Sequence, residues 1–365
     1  AYRSEKVSGF VPTEFQTGWA YGNFLPTHGS DSVSEAYIET VVPLGLGVEV
    51  NGAVRGINYS RSGFVTAWKL GATWQPIPDI LVRATQSRDI REPNLSELYA
   101  TGTSRTNNLT DPFTGLAGVR FFETTVGNPN LRPEQGDSTT AGVVFRPRAI
   151  PGLSVSSDWF QSRVKDAIAA FSAQDIINLC YLGNNDFCSA YGPDPSGVNT
   201  YAFQATRFNA SAVKVSGIDF AANYRLNIGD SGRLSLNANG TRYLEYRSET
   251  GIPQDQVINT VGQLSGSTPT WSYRATLTYD TPTWAATIAG RGVSSGKWQN
   301  NYVECRTNCP VSTVDNPTID VNHASAPIYV DANLRFKIDD TRFEKAEFFI
   351  HVSNLFNSDP IMLPI

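Results

Sequence analysis

The sequence predicts an all-β fold, a transmembrane antiparallel meander β-barrel, and three observations carry that prediction. Long segments alternate apolar with polar residues, the period of a strand that has two different faces. The connections between these segments alternate between short and long, as they do at the two rims of a membrane barrel. Charged residues make up only 17% of the chain, which is few for a surface that meets water on all sides.

Length and composition fit one large wall of strands. The chain has 365 residues, and its 30 glycines and 21 prolines favour many strands joined by turns. No apolar stretch reaches the roughly 18 residues that a transmembrane helix needs. The formal net charge of -5 argues against nucleic acid as a partner, because phosphates attract positive surfaces.

Alternation locates the individual strands. Between 328 and 338, for example, Ile, Val, Ala, Leu and Phe occupy one face while Tyr, Asp, Asn, Arg and Lys occupy the other. Such segments run for about ten to fifteen residues, longer than the usual strand of a soluble protein. We predict about fourteen strands, near 1–10, 14–25, 33–42, 46–60, 63–75, 79–90, 137–147, 152–166, 213–228, 232–247, 270–280, 284–298, 328–338 and 346–357.

Connection lengths orient this wall. Every second connection is predicted to be short, at 11–13, 43–45, 76–78, 148–151, 229–231 and 281–283. The long outer loops are predicted near 91–136, 167–212, 248–269 and 299–327. In this arrangement the first strand runs toward the periplasm and the last runs outward, so we expect at least one further descending strand.

The four cysteines form two close pairs in predicted loops, Cys180 with Cys188 and Cys305 with Cys309. Pairs in polar loops indicate disulfides made in an oxidising compartment. A zinc site is the competing interpretation, but none of the three histidines lies within a few residues of a pair. We expect no metal and no cofactor.

Three motifs follow one another along the chain. They are SRDIREPNLSELY at 87–99, GNPNLRPE at 127–134 and VSNLFN at 352–357. They resemble, in order and spacing, the S-R-x-F/I-R-x-P-N-L-x-E-L-Y, G-N-P-x-L-x-P-E and V/I-x-N-L-F-N/D segments of TonB-dependent outer-membrane receptors. The matching positions are Arg91, Pro93, Asn94, Leu95, Asn128, Pro129, Leu131, Pro133, Glu134, Asn354, Leu355 and Phe356.

This resemblance implies a plug domain, with its TonB box, inside a barrel of 22 strands in the bacterial outer membrane. The fourteen predicted strands would then be strands eight to twenty-one, so residues 1–365 would be a partial barrel without plug or last strand. Expected partners are TonB acting through the plug, outer-membrane lipid and lipopolysaccharide, and a small solute. Arg88 and Arg91 alternate poorly with a lipid face, so we expect them at the lumen or the rim.

The outer loops are the predicted binding region. Aromatic and amide side chains there could stack on a sugar ring or a flat chelate, and the candidates are Tyr181, Tyr191, Trp298, Asn300 and Tyr302. The loops have no dense arginine cluster, which favours a carbohydrate or another neutral solute over a strongly anionic siderophore.

Energised uptake of a scarce solute, either a carbohydrate or a metal chelate such as a siderophore, is therefore the leading functional hypothesis. A passive porin of about fourteen strands is the alternative, and it would need no plug. We do not expect an enzyme, because no serine, histidine and acid lie in a persuasive catalytic setting.

Overall fold

A computed structural model describes residues 1–16, 25–249, 257–266, 268–313, 316–340 and 343–361. Its strands are β1 (Tyr2–Gly9), β2 (Thr27–Gly45), β3 (Val48–Tyr59), β4 (Gly63–Ile77), β5 (Ile80–Arg91), β6 (Thr101–Leu109), β7 (Val119–Val126), β8 (Glu134–Phe145), β9 (Leu153–Ala170), β10 (Tyr191–Pro193), β11 (Tyr201–Ala205), β12 (Arg207–Ile228), β13 (Gly232–Glu249), β14 (Trp271–Asp280), β15 (Trp284–Val293), β16 (Gly296–Lys297), β17 (Val303–Glu304), β18 (Thr318–Ile319), β19 (His323–Ala324), β20 (Ile328–Asp340) and β21 (Phe343–Val352).

Helices are few and short. They are α1 (Leu95–Tyr99), α2 (Ala173–Tyr181) and α3 (Asn185–Cys188), with single 3₁₀ turns at Thr13–Phe15 and Gly229–Ser231. Within the described residues, no helix has the length and apolar character needed to cross a membrane.

Thirteen strands form one antiparallel wall in the order β1-β2-β3-β4-β5-β8-β9-β12-β13-β14-β15-β20-β21. Each wall strand therefore pairs with the next wall strand along the chain, and the predicted antiparallel meander is confirmed. A second sheet of four strands, β10-β11-β7-β6, is built entirely from two of the long connections.

The N-terminal part of the wall corrects the predicted strand count. β1 pairs directly with β2, from Tyr2 opposite Ser34 to Gly9 opposite Thr27, so no strand lies between them. The strand predicted at 14–25 was wrong where the structure describes it, because Thr13–Phe15 form a 3₁₀ turn. Residues 17–24 of that prediction lie outside the described residues.

This pairing also reverses the predicted direction of the first strand. Because β2 descends into the tight turn at 46–47, its antiparallel neighbour β1 runs toward the opposite rim. The connection at 11–13 was therefore wrongly predicted as a short turn of the periplasmic side. From β2 onward the alternation holds, with short connections at 46–47, 78–79, 146–152, 229–231 and 281–283 on one side. We call this side the short-turn rim and the other the long-loop rim.

The long-loop rim carries the connections at 92–133, 171–206, 250–270 and 294–327, close to the predicted long loops. The connection at 60–62 is the short exception on this side. Some strands extend toward this rim well past the usual length, and β12 has 22 residues.

One face of the wall carries a continuous apolar band. A row of directly paired residues crosses five strands through Leu236, Leu277, Ile288, Ala332 and Val352. Ile288 in this row is 54% exposed although it is fully apolar. Exposed apolar side chains repeated along a long sheet fit contact with lipid, so this is the outward face.

The opposite face is polar and lines the lumen. Arg83 makes two hydrogen bonds of 2.7 Å to Asp158, although the strand β8 lies between their own strands. Gly142 stands directly between the two residues, and a Cβ there would lie 1.9 Å from Asp158 Oδ1. The glycine thus lets an ion pair span three strands on the lumen side.

The two faces can be tested by placing one arginine on each. In the full-length receptor, Leu277→Arg puts a charge on the outward face and Thr276→Arg puts the same charge on the lumen face. We expect Leu277→Arg to lower the free energy of unfolding by about 2–4 kcal/mol, as arginine does near the bilayer midplane. Thr276→Arg should change it by much less. Equal losses in urea unfolding from lipid vesicles would contradict the assignment of faces.

Candidate functional site at the long-loop rim

The first two motifs meet where β5 leaves the wall. Arg91 donates hydrogen bonds of 2.5 and 2.6 Å to the carboxylate of Glu134, its direct cross-strand partner. The same guanidinium bonds Glu97 Oε2 at 3.2 Å. Glu134 also accepts the backbone N–H of Ile168 on the far side, at 2.7 Å. One arginine therefore links two wall strands to the helix that begins the long loop.

Asn94 sets the start of that helix, α1. Its side chain accepts the Glu97 N–H at 2.9 Å, while the Glu97 carboxylate accepts the Asn94 N–H at 2.8 Å. This capping box satisfies two amide groups that the helix itself leaves free. Pro93 is buried, Leu95 is half-buried and Leu98 is buried.

The second motif closes the same loop against the helix. A Cβ on Gly127 would lie 2.4 Å from the Tyr99 nitrogen, so only glycine allows this approach. Asn128 then donates 2.7 Å to the Arg207 carbonyl at the start of β12. Leu131 and Pro133 are buried, whereas Pro129 is exposed. The residues of the first two motifs are thus brought together, and their contacts fix the ends of β5, β8 and β12 where the first long loop begins and ends.

The third motif begins at the last residue of β21, and its other residues lie beyond that strand. The strand predicted at 346–357 was wrong at its C-terminal end, because β21 stops at Val352. Asn354 has a φ of 50°, donates its N–H to Asp331 at 2.9 Å and closes a turn on Ser358. Leu355 donates its N–H to a wall carbonyl, and Phe356 is 70% exposed.

Above the rim, the second sheet and helices α2 and α3 form what we call the outer-loop unit, residues 101–126 and 171–206. Its core contains fully buried side chains from α2 packed on both loops, and its members are Leu109, Phe121, Phe171, Ala173, Ile176, Ile177, Leu179, Phe187, Ala190 and Phe203. The Cys180–Cys188 disulfide joins α2 to α3, which agrees with the bridge expected from the sequence. This is the largest buried apolar cluster of the described residues.

The two tyrosines predicted to bind ligand occupy different places in this unit. Tyr191 stacks on Phe203 with ring centroids 4.9 Å apart, and its hydroxyl donates to Cys180 Sγ at 3.6 Å. Its ring therefore packs against the core cluster. Tyr181 stays exposed and packs edge-on against Phe113 at 5.1 Å. A ligand role for either residue stays a prediction.

Asp111 is a buried carboxylate that no sequence motif singles out. It accepts hydrogen bonds of 2.9 Å from the Phe113 N–H and from the Thr114 and Tyr201 hydroxyls. Burial by itself raises the pKa of Asp111, but these hydrogen bonds together lower it below its usual value. The ionised carboxylate ties the first long loop to the second.

The remaining predicted residues lie in the loop at 294–327. Asn300 donates its side-chain amide to the carbonyls of Asn259 and Val261, at 2.7 and 2.9 Å. The backbone N–H of Trp298 and the carbonyl of Tyr302 both bond to Asn322, which is buried. Asn300 therefore joins two loops, and binding roles for Trp298 and Tyr302 stay predictions. The Cys305–Cys309 disulfide closes a small ring in the same loop.

A cavity of about 430 Å³ opens on the lumen face below this loop. Arg274 and Arg291 lie directly opposite each other in β14 and β15, and Tyr329 is the next residue in the same row. Arg291 contacts Asp331 at 3.5 Å and lies over the Tyr329 ring at 5.0 Å. Among the ion pairs of the described residues, none includes Arg274.

Opposed like charges destabilise a sheet, so such a pair needs a compensating reason. Asn239, Thr241 and Ser272 also line the cavity and add neutral hydrogen-bonding groups. The arrangement can bind an anionic, oxygen-rich group. Alternation had placed Arg274 on the polar face, but only the strand register could bring it opposite Arg291.

Glu92 is a second feature at the rim, one residue beyond the end of β5. Its Oε1 atom is buried and lacks a hydrogen-bond partner within the described residues. Burial, and then the hydrogen bond and charge of Asp31, raise the pKa of Glu92 to about 8. At neutral pH this carboxyl is therefore mostly protonated.

A lipid-facing band, a polar lumen and folded loops on one rim are the features of an outer-membrane β-barrel. The family model for TonB dependent receptor-like, beta-barrel proteins matches residues 2–355, and the chain belongs to that family. It is a protein of the bacterial outer membrane. The family and its structural neighbours are receptors and transporters, not enzymes.

Solved structures share this fold at low sequence identity. The chain is similar to the ferric enterobactin receptor PfeA of Pseudomonas aeruginosa, with a TM-score of 0.67 and 14% identity over 98% of this chain and 45% of that one. For the siderophore receptor PirA of Acinetobacter baumannii the TM-score is 0.62 and the identity 17%, over 90% of this chain and 42% of that one. For the FrpB iron transporter of Neisseria meningitidis the TM-score is 0.53 and the identity 13%, over 94% of this chain and 43% of that one.

One curated relative is similar in sequence, the probable hemoglobin and hemoglobin-haptoglobin-binding protein 4 of Haemophilus influenzae. It is 26% identical over 165 residues, which is 45% of this chain and 13% of that protein. The chain thus spans less than half the length of each of these relatives.

The raised pKa of Glu92 predicts a pH dependence of stability. Between its ordinary value of 4.5 and about 8, the unfolded chain releases this proton while the folded chain keeps it. The contribution of Glu92 is therefore full below pH about 4.5 and is lost as the pH rises through about 8. Glu92→Gln should flatten the melting temperature of the full-length receptor across this range. An unchanged slope in the variant would contradict this assignment.

Replacing Asp111 should loosen the outer-loop unit. Asp111→Ala leaves the Phe113 N–H and the Tyr201 hydroxyl without their acceptor, at a cost of about 1–3 kcal/mol for buried groups. We expect faster proteolysis within residues 101–126 and 171–206 of the full-length receptor. Asp230→Ala, an exposed aspartate at the short-turn rim, is the matched control and should leave that rate unchanged. Equal rates in the two variants would exclude a tie at Asp111.

Proposed function

We propose that this chain is part of the barrel of a TonB-energised receptor that imports an iron compound, either a siderophore complex or a heme-type compound. The solved neighbours are named as siderophore receptors and an iron transporter, and the sequence relative as a hemoglobin-binding protein. The observation from this chain that carries the proposal is the lumen cavity with Arg274 opposite Arg291.

The chemistry of that cavity favours an anionic ligand. Guanidinium groups bind carboxylate and phenolate oxygens through charge-assisted hydrogen bonds, which are stronger than neutral ones. The Tyr329 ring adds a flat surface beside the two cations. The carbohydrate expected from the sequence is less well supported, because the side chains of Asn300 and Tyr191 already serve the loop fold. The cavity therefore directs the proposal toward an iron compound that carries negative charge.

Further barrel strands and a plug domain are also part of this proposal. β1 and β21 each pair with one neighbour only among the described residues. An open strand edge does not persist in lipid, since its backbone groups have no water to bond. We propose that further strands complete residues 1–365 into a barrel, and that a plug inside it couples the receptor to TonB. Surrounding lipid and lipopolysaccharide are the remaining expected partners.

The source of energy separates this proposal from the porin alternative. Cells expressing the full-length gene should take up the iron compound only when tonB is intact, because the plug must be moved by an energised partner. A panel of ferric siderophores, heme, hemoglobin and oligosaccharides as sole sources would identify the solute. Uptake that persists without tonB would contradict the energised mechanism and favour a passive pore.

Removing both lumen arginines tests the cavity itself. Arg274→Gln with Arg291→Gln should weaken binding of the imported iron compound by about tenfold for each charged hydrogen bond lost. Arg233→Gln, a cation at the opposite rim near the turn at 229–231, is the control. Affinity measured on purified receptor by fluorescence quenching should fall in the double variant only. A parallel loss in Arg233→Gln would remove the cavity from the binding site.

A further inference from the structure

A row of charged side chains crosses the outward face of the wall, above positions that are mostly apolar. One further cation on this face, Arg242, pairs with Ile218 and lies over the Trp271 ring. Direct cross-strand pairing places Arg88, Asp137, Arg163, Lys214 and Arg247 side by side on β5, β8, β9, β12 and β13. Lys165 lies two residues above Arg163 on the same face of β9. We call these five cations, with Asp137 and Glu245, the outward basic row.

The apolar residues nearer the short-turn rim show how high on the wall the outward basic row lies. Trp159 and Ile218 pair directly four residues nearer the short-turn rim, and Phe220 follows them on the same face. Above the outward basic row, β9 and β12 continue to the outer-loop unit. The row therefore lies at the upper edge of the apolar band, between the lipid-facing residues and the outer loops.

Its charges are only partly balanced. Asp137 bonds Arg88 at 2.7 Å and Lys165 at 3.3 Å, while Glu245 bonds Lys214 at 2.7 Å and Arg247 at 3.0 Å. Arg163 lies between the two sets, exposed, and none of the described ion pairs includes it. Five cations against two carboxylates leave an excess of three positive charges in a chain whose net charge is -5.

A β-bulge contributes to this composition. Opposite Ser216 and Gly217, the strand β13 contains one extra residue, because Gly217 pairs with Tyr243 and Ser216 with Glu245. Without the bulge, Leu244 and Tyr246 would take the outward positions next to Ser216 and Lys214. With it, Glu245 and Arg247 occupy them. A bulge that re-aims side chains in this way is typical of a functional surface.

We propose that the outward basic row binds the phosphate groups of lipopolysaccharide in the outer leaflet. The long loops of bacterial outer-membrane barrels face the cell exterior, so the upper edge of the apolar band lies at the outer-leaflet headgroups. Lipopolysaccharide is phosphorylated at this depth, and guanidinium and ammonium groups are the side chains that bind phosphate. Arg163 is the central contact, and the cations on either side bind neighbouring phosphate oxygens.

Lipid binding by the purified full-length receptor in nanodiscs tests this site. The probes are diphosphorylated lipid A, the same lipid without phosphates, and inorganic phosphate, and the readout is bound lipid by native mass spectrometry. Removing a cation near a charged membrane surface weakens binding roughly fivefold. Arg163→Ala with Lys214→Ala should therefore weaken binding of diphosphorylated lipid A about 25-fold. Lys69→Ala, which removes a cation from the lumen face, is the control and should bind as the unmodified receptor does.

Two further measurements decide the source of the phosphate. Both use the unmodified receptor, so a folding defect in a variant does not affect them. Unmodified receptor should lose diphosphorylated lipid A as NaCl rises from about 0.1 to 0.5 M, because salt screens exposed charges. Equal binding of the dephosphorylated lipid, or no loss with salt, would overturn the proposal. If inorganic phosphate displaces diphosphorylated lipid A at equal concentration, the site binds free phosphate, and the proposal that lipopolysaccharide is its ligand is overturned.

Discussion

The hydrocarbon core of a membrane offers no hydrogen-bonding partner to a peptide group, and the rest of this structure depends on that constraint. Thirteen strands meet it because each pairs with the next wall strand along the chain, so the backbone groups bond between neighbours. The period of two then divides every strand into a lipid-facing and a lumen-facing set. The Leu277 row lies on the lipid-facing side, and the Arg83–Asp158 ion pair lies on the lumen side. Gly142 leaves the space that this ion pair needs, because a Cβ there would clash with Asp158.

Outside the membrane the constraint is relaxed, and the long connections fold around a core of their own. A row of directly paired wall residues approaches these loops from one strand to the next, and its side chains change from apolar to charged. Ile38, Val54 and Trp68 share one row with Arg88, and the apolar residues give way to charge across neighbouring strands. Strand tilt accounts for this change, because one row starts within the lipid and ends at the headgroups. The outer-loop unit then stands above this boundary, tied down by Arg91 and Asp111.

Much of the wall could be predicted from sequence, because alternation is a local property of each segment. The prediction failed where local signals misled. The Val-Pro-Thr segment at 11–13 resembled a turn, yet β1 pairs over its whole length with β2. The Asn354 motif resembled a strand end, but its positive φ makes it a turn. Functional candidates were harder, because Arg274 gains its meaning from Arg291 across the register. Likewise, Arg247 faces lipid only because a bulge shifts β13 by one residue.

We infer that one rim of the wall, with its folded loops, faces the outside while the short turns face the periplasm. Two single cysteines in the full-length receptor test it most directly, Val198→Cys in the outer-loop unit and Asp230→Cys in the turn at 229–231. A membrane-impermeant maleimide applied to intact cells should label Val198→Cys at once, and Asp230→Cys only after the outer membrane is opened. Labelling of Asp230→Cys in intact cells, with Val198→Cys protected, would contradict the orientation of the wall and every functional inference built on it.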